Sequence, residues 1–155
     1  MTTDNGPRRL VAVFASPMTE FLRRFGLDLG YRVVLVEPDP QQLAGTPRPG
    51  GDAVVADLAA AGIDAHTDVV FTDHHRPELI TLLTETLATD ARWIGVVGNP
   101  RREAPYAGAL STEELARVHR PIGLNIGSRT PAEIALATLA GLIADRNDRP
   151  GGFTH

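Results

Sequence analysis

The chain has no cysteine and no lysine. The missing thiol excludes disulfides, thiolate nucleophiles, persulfide carriage, iron–sulfur clusters and every cysteine-bearing zinc site. The missing amine excludes a Walker lysine and Schiff-base chemistry. All 15 cationic side chains are therefore Arg, set against 19 acidic ones for a net charge of −4. No positive excess advertises nucleic acid or a membrane surface. No apolar run approaches the roughly 20 residues of a membrane span. The opening MTTDNGPRR lacks the apolar core of a secretory signal. The expected location is the cytoplasm.

What is present suits one globular domain. The 155 residues match roughly 150 per domain. A chain of this size buries about two thirds of its unfolded surface, so it folds without metal or disulfide. Met1–Arg9 and the residues from 147 to 155 read as polar or Gly/Pro-rich flexible tails around a domain from 10 to 146.

Apolar runs at Leu10–Phe14, Val33–Val36, Asp52–Ala56, Asp68–Phe71 and Trp93–Val97 predict strands buried on both faces. A sixth, short strand is predicted at Ile122–Asn125. Helical patterns intervene. Ser16-Pro17 opens one that ends at Gly30. Pro77–Ala88 is a second. Ser111–Glu114 and Thr130–Glu133 are capping-box signatures for two more, the last running to about Asp145. Residues 38–51 read as a loop, and 57–66 hold about one short helix. Strands alternating with helical crossovers predict a doubly wound, mostly parallel α/β sheet.

Ligands of such sheets bind beyond the carboxyl ends of the strands, where the strand order reverses. That rim gathers five segments: Ala15–Thr19, Glu37–Asp39, Thr72–His75, Gly98–Arg102 and Asn125–Thr130. In an ordinary dinucleotide site the first turn carries G-x-G-x-x-G. Here it reads Ala15-Ser16-Pro17-Met18-Thr19-Glu20. Pro17 has no N–H and Met18 crowds the seat of a pyrophosphate, while Ser16 offers one hydroxyl. Glu37 keeps the place and charge that hold a ribose diol. Thr72-Asp73-His74-His75 reads three ways: as metal ligands, as polar residues opening a helix, or as a ligand or proton-transfer position at His75. Gly127-Ser128-Arg129 before a helix start is an anion site or merely part of its cap. Gly98-Asn99-Pro100-Arg101-Arg102 is similar. No G-x-S-x-G elbow or other catalytic constellation stands out, and Trp93 reads as packing.

These segments, in this order, resemble the C-terminal Rossmann-like domain of the XdhC/CoxI family. Those are accessory proteins of xanthine dehydrogenase and carbon monoxide dehydrogenase. The block His119-Arg-Pro121-Ile-Gly123-Leu-Asn125-Ile-Gly127-Ser-Arg129-Thr130-Pro131-Ala-Glu133-Ile134-Ala135 is similar to the family's H-x-P-I-G-L-D-I-G-A-R-T-P-E-E-I-A. Thr72–Glu78 resembles T-H-D-H-x-x-D with His and Asp exchanged. Trp93–Arg102 resembles Y-I-G-L-L-G-S-R-R-R. The family's G-A-G-H turn is replaced by Ala15-Ser16-Pro17-Met18. The likeness runs from about Leu10 to Asp145, and the domain that normally precedes this one has no counterpart in the sequence.

The resemblance implies binding of the molybdenum cofactor, a molybdopterin, and its delivery to an apo-enzyme. A cysteine desulfurase or a separate chain of the family's N-terminal type is an implied partner. The candidate cofactor-binding residues are Ser16, Glu37, Thr72, His74, His75, Gly98, Arg101, Asn125, Gly127, Ser128 and Arg129. No metal-ligating or catalytic residue is expected. The alternatives are an NAD(P)-dependent oxidoreductase or nucleotide sensor, and a degenerate scaffold that binds only protein. The apolar final helix is either a central crossover or part of a homodimer face.

Overall fold

The computed structural model describes residues 6–47 and 53–155. Among these, six strands form one sheet: β1 (Arg8–Val13), β2 (Tyr31–Val36), β3 (Ala53–Val55), β4 (Thr67–Phe71), β5 (Trp93–Val96) and β6 (Val118–His119). Five helices accompany them: α1 (Pro17–Asp28), α2 (Pro40–Ala44), α3 (Leu79–Leu87), α4 (Thr112–Ala116) and α5 (Pro131–Arg146). The strand order is β3-β2-β1-β4-β5-β6. Every ladder is parallel. The doubly wound α/β fold is thus present, and its strand order reverses between β1 and β4.

Strand alternation divides the core into two layers. Leu10, Ala12 and Val70 face α1 and α5, meeting Met18, Leu22, Ala135, Leu139 and Leu142. Val11, Val13, Val69 and Phe71 face the other way, onto Leu79, Leu82, Leu83 and Leu87 of α3 with Tyr106 and Leu110. The central strands β1, β4 and β5 are buried on both sides because each side is covered by helix. At the amino end of the sheet, the fully buried Asp68 accepts from Arg92 Nε at 2.7 Å and Arg146 Nη2 at 3.0 Å. That pairing ties the starts of β4 and β5 to the end of α5.

The helix starts follow their caps. Ser16 accepts from Thr19 N–H, and Ser111 with Glu114 forms a complete capping box. Three expectations differ. Residues 38–51 contain α2, opened by Asp39 as cap with Pro40 at its first position. β1 begins at Arg8, two residues before the apolar run. The sixth strand is Val118–His119, not Ile122–Asn125. Pro121 supplies no ladder N–H, and the chain beyond it leaves the sheet to lie on α5, with Leu124 N–H donating to Ala137 O at 3.1 Å. Gly123 permits that approach, because a Cβ there would lie 2.9 Å from the Ala137 backbone. The expected third strand keeps Ala53–Val55, while Asp52 and the first five residues lie outside the described segments.

Candidate functional site

The rim splits into two halves about the reversal point. On the β1–β2 side the chain satisfies itself. Glu37, at the end of β2, is 0% exposed. Its Oε1 accepts from Ala15 N–H and Arg76 Nη1, both at 2.9 Å. Its Oε2 accepts from Asp39 N–H at 2.9 Å and Arg76 Nη2 at 2.7 Å. Burial pushes the Glu37 carboxyl up, but these four donors outweigh it and hold the group below its ordinary value. Arg76 also reaches Glu78 at 3.2 Å and lies over the Phe14 ring, 4.4 Å from its centroid. The carboxylate expected to read a ribose diol thus carries two internal donors on each oxygen.

The turn begins one residue before Ala15. Phe14 has φ +83, a conformation that glycine adopts freely. Phe14 is fully buried, edge-on to Phe71 with centroids 6.2 Å apart. Packing on Phe71 below and Arg76 above holds a conformation that L side chains disfavour.

At the centre, three hydroxyls close the reversal point. Ser16 Oγ donates to Thr72 Oγ1 at 3.2 Å, Thr72 Oγ1 donates to Val13 O at 3.0 Å, and Thr19 Oγ1 donates to Phe14 O at 2.6 Å. Ser16 and Thr72 therefore serve this cluster. Beside it the rings of His74 and His75 lie against each other, centroids 4.0 Å apart and planes tilted by 43°. His75 is exposed, and its N–H donates to Asp73 Oδ1 at 2.8 Å. His74 Nδ1 is buried with no partner among the described residues. Burial, reinforced by His75 and Arg120, holds the His74 imidazole below its ordinary value.

The β5–α5 half is open. A pocket of about 580 Å3 lies between the loop after β5 and the loop entering α5. Gly98, Arg101, Asn125, Gly127 and Ser128 all line it. Val97, Ile122 and Ile134 supply apolar wall. The backbone N–H groups of Gly98, Asn99, Asn125, Ile126, Gly127 and Ser128 have no partner among the described residues. Gly127 turns this loop with φ +73. Arg129 stands apart: it is exposed, and its N–H donates to Glu133 Oε1 at 3.0 Å. Thr130 Oγ1 accepts from Glu133 N–H at 3.2 Å. Pro131 has no N–H, so the first turn of α5 keeps little donor capacity of its own. The free donors lie in the loop before it.

Two arginines escape a reading of the sequence. Arg76 carries no motif, and its link to Glu37 crosses 39 positions. Arg120 lies along Gly98, where a Cβ would sit 2.9 Å from Arg120 Cδ, and it donates to the Arg102 carbonyl. Among the described residues, no group of three or more His, Asp or Glu side chains could hold a metal ion. No helix there is long and apolar enough to cross a membrane.

Comparison with known proteins follows the same outline. The family described as XdhC Rossmann domain matches residues 10–142. A Bacillus subtilis protein, named as a probable xanthine dehydrogenase subunit, is 23% identical over 143 residues, covering 89% of this chain and 43% of that protein. YqeB of Escherichia coli K12 is 36% identical over 66 residues, 39% of this chain and 12% of that one. The crystal structure of a xanthine dehydrogenase from Bacillus halodurans superposes with a TM-score of 0.71 at 23% identity, covering 96% of this chain and 45% of that one. The chain thus spans less than half the length of each of these relatives. With 10–142 of its 155 residues matched and the same fold in that structure, the chain belongs to the XdhC Rossmann domain family.

Proposed function

We propose that this chain is an accessory protein to a molybdenum hydroxylase of the xanthine dehydrogenase type, and that its β5–α5 pocket holds the molybdenum cofactor as cargo. The observation that carries this reading is the set of unpartnered donors around that pocket. Pterin cargo brings a phosphate, oxo groups and a flat polar bicycle. Phosphate and oxo oxygens accept from backbone N–H groups at Asn125–Ser128 and from the Ser128 hydroxyl. Arg101 adds a fixed positive fork at the mouth. The Asn125 amide both donates and accepts, as the pterin edge does. Val97, Ile122 and Ile134 offer apolar contact to the ring faces. A volume near 580 Å3 is in the range of small-molecule sites.

The pocket has no paired nucleophile and base, so its chemistry is retention and release rather than turnover. With no cysteine in the chain, sulfur for the cofactor must come from a separate protein, in keeping with a cysteine desulfurase as partner. The nicotinamide alternative meets a ribose anchor that Arg76 already fills. The test is an anaerobic fluorescence titration with molybdopterin released from a denatured molybdenum hydroxylase. Saturable binding, weakened about tenfold or more by Ser128→Ala with Asn125→Ala, supports the proposal. Binding unchanged in that double variant, or no binding at all, contradicts it.

A further inference from the structure

The β1–β2 half of the rim contains the geometry of a nucleoside site without a free anchor. A groove of about 530 Å3 opens there, lined by Ala15, Ser16, Pro17, Asp39, Gln41 and Gln42 among others. It adjoins Glu37 through Ala15 and Asp39, whose N–H groups both bind that carboxylate. Glu37 stands at the end of β2, where an acidic side chain holds the two hydroxyls of an adenosine ribose. A diol would donate one hydrogen bond to each carboxylate oxygen. Arg76 donates one to each, at 2.9 and 2.7 Å. Three further polar groups of the groove are also engaged. Asp39 Oδ1 accepts from Gln41 N–H, Glu20 pairs with Arg23, and Ser16 bonds Thr72.

We infer that Arg76 is a specificity-determining residue: its guanidinium occupies the diol seat on Glu37 and excludes nucleosides from a groove otherwise shaped to take one. Three contacts hold the plug. Glu37 fixes the fork, Glu78 takes Nη2 at 3.2 Å, and the Phe14 face lies 4.4 Å beneath the guanidinium carbon. The plug and the turn support each other. Phe14, at a strained turn position, provides the surface on which Arg76 rests. Arg76, resting on Phe14, thus seals the ribose seat. Arg76 plugs that seat whatever the β5–α5 pocket binds.

The probe is adenosine, which carries the diol and no phosphate. Binding is read by saturation-transfer NMR with a parallel calorimetric titration. The proteins are the wild type, Arg76→Ala and Arg76→Lys, with 2′,3′-dideoxyadenosine as control. The wild type shows no saturable adenosine binding. Arg76→Ala binds adenosine at least about tenfold tighter than the wild-type limit, and the dideoxy analogue does not bind, because two charge-assisted bonds to Glu37 become available. Arg76→Lys keeps a positive charge but gives up the fork, and it shows a smaller gain that still requires the diol. It decides the question if Arg76→Ala does not fold. Adenosine binding by the wild type overturns the inference. So does a folded variant that fails to bind adenosine, or one that binds the dideoxy analogue equally well.

Discussion

The two halves of the rim are built from the same parts, strand ends and helix entries, yet they end in opposite states. Both oxygens of Glu37 meet two donors of the chain, and Arg76 closes the surface. Around Gly98 and Asn125–Ser128 the backbone donors have no partner among the described residues and stand beside apolar wall. Self-satisfied polar groups stabilise a fold, whereas unsatisfied ones at a pocket await a ligand. One side of the rim thus closes on itself, and the other keeps an open pocket.

The largest effect should come from breaking the closed half. Arg76→Ala removes two charge-assisted bonds from a fully buried carboxylate. Glu37 keeps two backbone donors and gains solvent where Arg76 lay, so the expected loss is about 2–3 kcal/mol, below that of a fully buried pair. Urea unfolding followed by the fluorescence of Trp93, the single tryptophan, measures it. A loss under about 0.5 kcal/mol would mean that Arg76 adds nothing to the rim's stability.

Gly123→Ala should come next, at about 1–3 kcal/mol. Its new Cβ would press on the Ala137 backbone at 2.9 Å and push the pocket loop off α5. The same denaturation experiment, together with ligand titration, should show stability and binding falling together. An alanine tolerated without cost in either would indicate that the loop does not need its close seat.

The acid limb sharpens the contrast. Glu37 has a folded-state pKa below its unfolded one, so its contribution is fully present above the ordinary glutamate value of about 4.3. That contribution is lost as pH falls through the lower folded value. Glu37→Gln should therefore flatten the stability profile below about pH 4.3. Parallel profiles of wild type and variant in that window would contradict the buried clamp.

The smallest stability effect should come from the open half. Arg101→Ala should change unfolding free energy by less than about 0.5 kcal/mol, while weakening an anionic ligand several-fold. A variant that loses stability but keeps affinity would reverse the assignment of the two halves.

Much of this was legible in the sequence because it was local. Uninterrupted β-branched and apolar runs mark strands covered on both faces, and Ser16, Ser111 and Thr130 announce their helices through short-range capping. The long block from His119 to Ala135 carried the family through residue identity. What stayed hidden depended on distant partners. Glu37 looked like a free ribose ligand because nothing in its neighbourhood announces Arg76. The positive φ at Phe14 was invisible, since a phenylalanine after four apolar residues reads as more strand. β6 was misplaced because Ile122–Asn125 is apolar enough for a strand, but that apolarity serves contact with α5. The bond from the Arg129 backbone to Glu133 was equally hidden, as was the place of Arg101 in the pocket lining.

The most direct test is native mass spectrometry of the wild-type protein after anaerobic incubation with molybdopterin and NADH in equal excess. The account predicts a bound species with the pterin mass, lost when Asn125 and Ser128 are both alanine and retained in Arg101→Lys. A bound adenine dinucleotide that survives those changes would contradict it, because it would place the ligand on the half of the rim that Arg76 closes.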